Sequence, residues 1–362
     1  MKILFITIEN NPLTLGGVQT FARAMKKLYK KELVFLTNKF KLKPEYIVET
    51  DVDDIIEVYS SNIFFRAINK IFKNKIRKYM IIKKIKELRP DICILSNDNE
   101  LEYLNEIDTK VICVQHNSAD NYLFQEKNFY RKESFYKNLR KRKLDCMVCL
   151  CQKDVVLFKK MAKDIEKNIT IRFPNFIKLL EEKKIQRKNL IMLTRLQNHQ
   201  KKIDLAIKAM KKLPDFTLDI YGEGPDKENY QHIISGEKIE NVFLRGTTTN
   251  VQEKLDEAGI FIMTSDYEGY PVSSIEAMRR GLPIILRNTF GAASDIVVDN
   301  KNGILLEREW NEDKFVEAVR KVYDNYEYYS KNSKKFGERY SPEVVKKEWD
   351  NLFEELINEK RR

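Results

Sequence analysis

Apolar runs of five or six residues, most of them rich in β-branched side chains, alternate with helical-period segments along most of this chain, and they do so twice. In the first half the runs are "KILFIT" (2–7), "ELVFLT" (32–37), "DICILS" (91–96), "VICVQH" (111–116) and "CMVCLC" (146–151). In the second they are "NLIMLT" (189–194), "FTLDIY" (216–221), "NVFLRG" (241–246), "GIFIMT" (259–264) and "LPIIL" (282–286). Runs that are apolar without interruption suit strands buried on both faces, and alternation with helices argues for parallel, doubly wound sheets. A chain of 362 residues also exceeds what one ordinary core holds. The expected fold class is α/β, with two doubly wound Rossmann-like domains facing a cleft. The first domain is expected over 1–172. The linker is expected over 173–188, within "RFPNFIKLLEEKKIQRKN", and the second domain over 189–340. Ser341 before Pro342 makes a good N-cap and first-turn pair, so 341–362 is expected to be one helix, packing back on the first domain.

No stretch of about 18 residues is free of charge, so no membrane-spanning helix is expected. The opening "MKILFITIENNP" is too short in its apolar part for a signal peptide and reads as a first strand, which implies a cytoplasmic address. Three of the five cysteines lie in "DCMVCLC" (Cys146, Cys149, Cys151), with no second Cys/His cluster to complete a metal site; buried strand thiols are the simpler reading. Only three histidines are present, His116, His199 and His232, so no metal is expected. The net charge of +12 is concentrated. Residues 63–89 carry ten Lys/Arg against Glu87, and residues 127–143 carry eight against Glu133. Such stretches suit an anionic membrane surface, nucleic acid, or simply solvated helix faces. Nothing resembling a base-reading module accompanies them, so no nucleic-acid partner is expected.

Ligands of open α/β sheets bind at the carboxyl ends of the strands, so chemistry belongs in the loops there. Gly16 and Gly17 sit between the first strand and a helix, where paired glycines let a phosphate approach the backbone; a plain turn is the alternative. "LTRLQNHQKKIDLAIKAM" places Arg195 at a strand end and Lys201 and Lys202 at the next helix start. A guanidinium and an ammonium there can grip a diphosphate. "YGEGPDK" (221–227) reads as a strand-to-helix turn. "GIFIMTSDYEGYPVSSIEAMRRG" reads strand, loop, helix, with Pro271 in a first turn and Gly281 at the stop. It puts Glu268 in the loop and Glu276 inside the helix, with seven residues between them. Glu276 could instead close a capping box with Ser273, and Glu268 could be a solvated acid. Two carboxylates at two levels, beside the amides near Gly269 and Tyr270, suit a sugar joined to a phosphate.

This stretch resembles the signature of the retaining glycosyltransferases of family 4, which have the GT-B fold. The resemblance extends to Gly16-Gly17, "TRL…QKK", "YGEGP", "NVFLRG" and "NGILL" (302–306). It implies an acceptor-binding first domain and a second domain that binds the donor, a UDP- or GDP-sugar, with no cofactor required. Glu276 would hold the ribose. Glu268 would face the donor sugar, with the Gly269, Tyr270, Pro271 and Val272 backbone beside it. Arg195 and Lys201 would bind the diphosphate, with Lys202 the neighbouring candidate, and Gly16-Gly17 would close over it. His116 would lie near the donor sugar or acceptor. Lys202 stands where the family usually has glycine, Asp295 where glutamate is usual, and Cys151 replaces a common serine. The expected reaction is hexosyl transfer with retention to a glycan or lipid-linked acceptor in cell-surface polysaccharide synthesis, on the inner face of the membrane. A sugar-nucleotide epimerase on a similar fold and a basic nucleic-acid-binding protein are the alternatives.

Overall fold

The computed structural model describes residues 1–8, 10–14, 16–39, 53–60, 70, 72, 74–116, 137–139, 144–161, 165 and 167–360. Nearly all of 127–143 and part of 63–89 lie outside the described residues. The chain divides into two compact units. The first is Met1–Pro174 with Val345–Arg362, and the second is Asn175–Val344.

The first unit holds a seven-stranded sheet: β1 (Ile3–Ile6), β2 (Leu33–Lys39), β3 (Ile55–Ser60), β4 (Ile92–Leu95), β5 (Lys110–Gln115), β6 (Cys146–Cys149) and β7 (Lys167–Thr170). The order is β3-β2-β1-β4-β5-β6-β7, and the strand pairs are all parallel. Its helices include α1 (Gly17–Tyr29), α2 (Lys75–Leu88) and α3 (Gln152–Met161). β1, β4 and β6 are buried at every position, which is what their unbroken apolar runs require. All five cysteines are buried thiols, and burial pushes the Cys146 thiol up to about 12, so they serve as apolar filling. The end of the C-terminal helix (Pro342–Lys360) completes this core. Fully buried Trp349 packs on Phe21 and Phe353, Phe353 packs on Tyr29, and the Tyr29 hydroxyl donates to Asp350 at 2.9 Å.

The second unit holds a six-stranded parallel sheet: β8 (Asn189–Leu193), β9 (Thr217–Tyr221), β10 (Val242–Gly246), β11 (Ile260–Met263), β12 (Ile284–Arg287) and β13 (Gly303–Leu306), in the order β10-β9-β8-β11-β12-β13. Two of its helices bear on the site, α4 (Ile203–Ala209) and α5 (Val272–Arg279). Residues 175–188, expected as a linker, belong to this unit and are tied down. Lys184 is buried and donates to the carbonyls of Leu255 and Asp256, and Arg279 and Arg280 of α5 and its C-terminal end donate to the carbonyls of Ile177 and Lys178. β13 can lie against β12 only because residue 303 is glycine: a Cβ there would sit 1.8 Å from the Ile284 carbonyl oxygen.

In both sheets the chain builds outward from one strand and then returns to its other side. The strand order therefore reverses between β1 and β4 in the first unit and between β8 and β11 in the second. A doubly wound sheet opens a crevice at the carboxyl ends of such a pair.

Candidate active site

The second unit's switch point carries the loops after β8 and β11, and hydrogen bonds knit them together. The Asp266 amide donates to the Gln200 carbonyl at 2.8 Å, and the Thr264 hydroxyl donates to the Lys201 carbonyl at 2.8 Å. The Gln200 side chain donates to the Tyr267 carbonyl at 2.9 Å. Across this seam Lys201 Nζ lies 2.6 Å from Glu268 Oε1, with both side chains largely buried. A pair this close and this shielded is strongly coupled, and losing either partner leaves an uncompensated charge.

Lys202 takes another direction. It joins the single turn Asn198–Lys201 to α4 in the left-handed conformation, φ 49° and ψ 42°, and its ammonium lies 3.6 Å from Asp266. A left-handed residue at the junction explains a position that resembles a family glycine: lysine is held there at a cost of about 1 kcal/mol or more. Arg195 stands exposed at the carboxyl end of β8 and makes no ion pair among the described residues. The turn that follows β9 fits close beneath this loop. A Cβ on Gly222 would lie 1.8 Å from the Thr194 carbonyl oxygen, so glycine is needed for contact as well as for its φ of 144°.

The start of α5 differs from one expectation. The helix begins at Val272, with Pro271 at the N-cap, and no side chain caps it. Ser274 Oγ bonds back to the Pro271 carbonyl at 2.7 Å. The Ser273–Glu276 capping box does not form, because Ser273 is already inside the first turn. Glu276 is left one turn in, half-buried, with no hydrogen bond or ion pair among the described residues, and burial pushes its carboxyl up to about 7. The backbone of Gly269 and Tyr270 leads into this uncapped start, and the Tyr270 hydroxyl donates to the Tyr340 hydroxyl at 3.0 Å.

Sequence reasoning missed the residues that hold the Glu268 loop. Buried Arg287, at the end of β12, donates to the Thr264 carbonyl at 2.7 Å, to Asp266 Oδ1 at 2.6 Å and to the Arg308 carbonyl at 2.7 Å. Thr289 Oγ1 donates to the Ser265 carbonyl at 2.6 Å. The only signal for Arg287 was an arginine closing an apolar run, "LPIILR".

Gly16, Gly17 and His116 lie in the first unit, at the carboxyl edge of its sheet. Gly16 has φ 148° and leads into α1, whose start no side chain caps. Both glycines are exposed, and nothing among the described residues lies within 4 Å of where a Gly17 Cβ would be. His116 follows β5 and packs edge-on against Phe21 at 5.0 Å. Its Nε2 is buried without a hydrogen-bond partner among the described residues, and burial lowers its pKa to about 4, so the ring is neutral at pH 7.

Residues 175–339 match the family profile described as glycosyl transferases group 1. The second unit is a glycosyl transferases group 1 domain. The chain is 34% identical over 199 residues to a poly(ribitol-phosphate) alpha-N-acetylglucosaminyltransferase of Staphylococcus aureus, covering 52% of this chain and 40% of that protein. It is 30% identical over 175 residues to a poly(glycerol-phosphate) alpha-glucosyltransferase of Bacillus subtilis, covering 46% and 26%. The aligned parts thus span less than half the length of these curated relatives. Over the whole chain the fold matches the crystal structure of S. aureus TarM, solved as a point mutant with fondaparinux, alpha-GlcNAc-glycerol and UDP. The TM-score is 0.74 at 18% identity, covering 98% of this chain and 100% of that one. The fold of this chain is accordingly GT-B.

Proposed function

We propose that this chain is a glycosyltransferase that moves a sugar from a UDP- or GDP-sugar to a glycan or lipid-linked acceptor of a cell-surface polysaccharide, with retention of anomeric configuration. The observation that carries the reading is Glu276. A half-buried carboxylate without a partner among the described residues, one turn into an uncapped helix, is costly to the free protein, and a pair of ribose hydroxyls donating to it would remove that cost. Glu268, oriented by Lys201, faces the donor sugar. Arg195 and Lys201 take the diphosphate, Arg195 being an exposed guanidinium with no ion-pair partner among the described residues. The cell-wall polymers named in the relatives, and the UDP in the TarM crystals, support the substrate class.

The placement of the charges supports retention. Inversion needs a base within about 3 Å of the incoming hydroxyl, on the face opposite the leaving group. Both glutamates belong to the unit that carries the diphosphate cations, and His116 is neutral but aimed into a buried, apolar contact. The leaving diphosphate, stabilised by Arg195, Lys201 and the α5 amides, can accept the acceptor's proton on its own face. A panel of UDP- and GDP-sugars screened by thermal shift is expected to show stabilisation by one of them, about 2.7 kcal/mol at a hundred times Kd. That donor, if α-linked, is expected to give an α-linked product by NMR. No stabilisation by any donor sinks the reading, and a β-linked product sinks retention.

The basic stretches support peripheral attachment to the inner face of the membrane. Among the described residues no helix is long and apolar enough to cross a membrane. Lys75, Lys83, Lys86 and Tyr79 are exposed on α2. Binding to anionic vesicles that disappears in about 1 M salt, and no binding to neutral ones, is the expected result. Equal binding to both removes the attachment from the proposal.

A further inference from the structure

Asp266 sits where three strands of the second unit's sheet deliver their loops. It lies in the loop after β11, and β11 runs between β8 and β12. The residue is tied to both sides. Its amide donates to the Gln200 carbonyl at 2.8 Å, in the loop after β8. Its Oδ2 lies 3.6 Å from Lys202 Nζ, at the far end of that same loop. Its Oδ1 accepts from Arg287 Nη1 at 2.6 Å, at the end of β12. The same nitrogen donates to the Thr264 carbonyl at 2.7 Å, so Arg287 grips the loop at its first residue and again at Asp266.

Two ion pairs therefore cross one seam side by side, Lys201 with Glu268 and Lys202 with Asp266. They differ in kind. The first is short and largely buried. The second is longer and partly exposed, and such a pair standing alone contributes little to stability. Asp266 does not stand alone. The Arg287 side chain is 8% exposed, and a guanidinium so buried needs a counter-charge, which Asp266 supplies. Its Nη2 is held in turn by the Arg308 carbonyl, so the carboxylate has a fixed place to be. Lys202 is the other half of the observation. Its backbone is left-handed at φ 49°, a conformation that glycine adopts freely and lysine does not. What the side chain gains there is the Asp266 carboxylate, and an ammonium turned to Asp266 is turned away from Glu268.

We propose that Asp266 is a positioning residue. Held by Arg287 on one side and Lys202 on the other, it locks the loop after β11 to the loop after β8, so that Glu268 and Lys201 meet in the geometry the reaction needs. Lys202 serves this lock and not the diphosphate. The roles of Glu268 and Lys201 rest on the glycosyltransferase reading; the lock between the loops does not.

D266N keeps an oxygen for Arg287 and loses the charge that Lys202 meets. Hydrogen exchange of the full chain, without ligand, is expected to be about tenfold faster over residues 264–268 in D266N than in wild type, and unchanged in the first unit. K202G, at a partly exposed position whose backbone suits glycine, is expected to melt within about 3 °C of wild type and to exchange faster over the same residues. With the donor found in the panel, D266N is expected to lower kcat about 30-fold and K202G about fivefold, each with donor KM within about threefold of wild type. The double variant D266N/K202G is expected to be no slower than D266N, because a residue that acts through the Asp266 charge adds nothing once that charge is gone. Should D266N not fold, K202G carries both the exchange and the kinetic readout. Unchanged exchange over 264–268, or an unchanged kcat, overturns the proposal. A K202G enzyme whose donor KM rises tenfold, or losses that multiply in the double variant, makes Lys202 a diphosphate ligand and overturns it as well. A wild type that binds no donor and transfers no sugar defeats the glycosyltransferase reading, and the exchange measurement then decides by itself whether Asp266 locks the two loops.

Discussion

Replacing Lys201 by methionine is expected to lower kcat by about 100-fold or more and to destabilise the second unit at the same time. The two effects have separate causes. Turnover falls because a preorganised cation facing the departing diphosphate is worth about 3–4 kcal/mol, as single oxyanion donors are in other enzymes. Stability falls because Glu268, 2.6 Å from the ammonium and 8% exposed, is left with no cation to answer it; breaking a buried pair from one side typically costs about 3–5 kcal/mol. The double variant K201M/E268Q separates them. Removing the stranded charge is expected to restore most of the lost melting temperature, while turnover stays low. A K201M protein with kcat within about twofold of wild type would leave Lys201 a structural residue and hand the diphosphate to Arg195 and Lys202.

Donor affinity is expected to depend on pH through Glu276, and E276Q to abolish that dependence. Burial raises this carboxyl from 4.5 to about 7, so near pH 7 the free protein is about half protonated. Ribose hydroxyls donate to the carboxylate and favour its charged form. Nucleotide binding therefore tightens as pH rises through about 7, levels off above it, and releases a proton below it. Without donor the sign is opposite for stability. A carboxyl whose folded pKa is raised contributes stability fully below about 4.5 and loses it as pH rises through about 7. The melting temperature of the free wild type is thus expected to fall from pH 5 to pH 8 relative to E276Q, and saturating donor to remove the difference. E276Q is expected to raise donor KM about 10- to 100-fold, the worth of two charge-assisted hydrogen bonds, with a smaller change in kcat. A pH-independent wild-type Kd, or an E276Q enzyme with unchanged donor KM, removes the ribose role.

The ten apolar runs that the sequence shows are all strands, and they include every central strand of both sheets. Three strands were not read as such: β3 (Ile55–Ser60), β7 (Lys167–Thr170) and β13 (Gly303–Leu306). All three are sheet edges. An edge strand meets solvent on one side, so β7, "KNIT", carries polar residues and its period looks like loop. The Glu268–Glu276 spacing was equally legible, because a loop acid and a helix acid with a glycine, a proline and an apolar start between them leave a local pattern.

What no local pattern carries is which partner each side chain meets. The choice between Lys201 and Lys202 depends on one left-handed residue, and neighbouring lysines look alike until the backbone turns one toward Glu268 and the other toward Asp266. Arg287 supports the Glu268 loop from a strand that comes later in the sequence, through carbonyls that any sequence supplies. The capping box failed for a related reason: α5 starts at Val272, a register set by Pro271. By itself, then, the sequence determined the two sheets and the loops that carry charge, since burial of apolar runs acts on neighbours along the chain. Only the tertiary structure decided which charges pair, which stay unpartnered and which titrate near neutrality, since those depend on distances between residues far apart in sequence and on the water that folding removes.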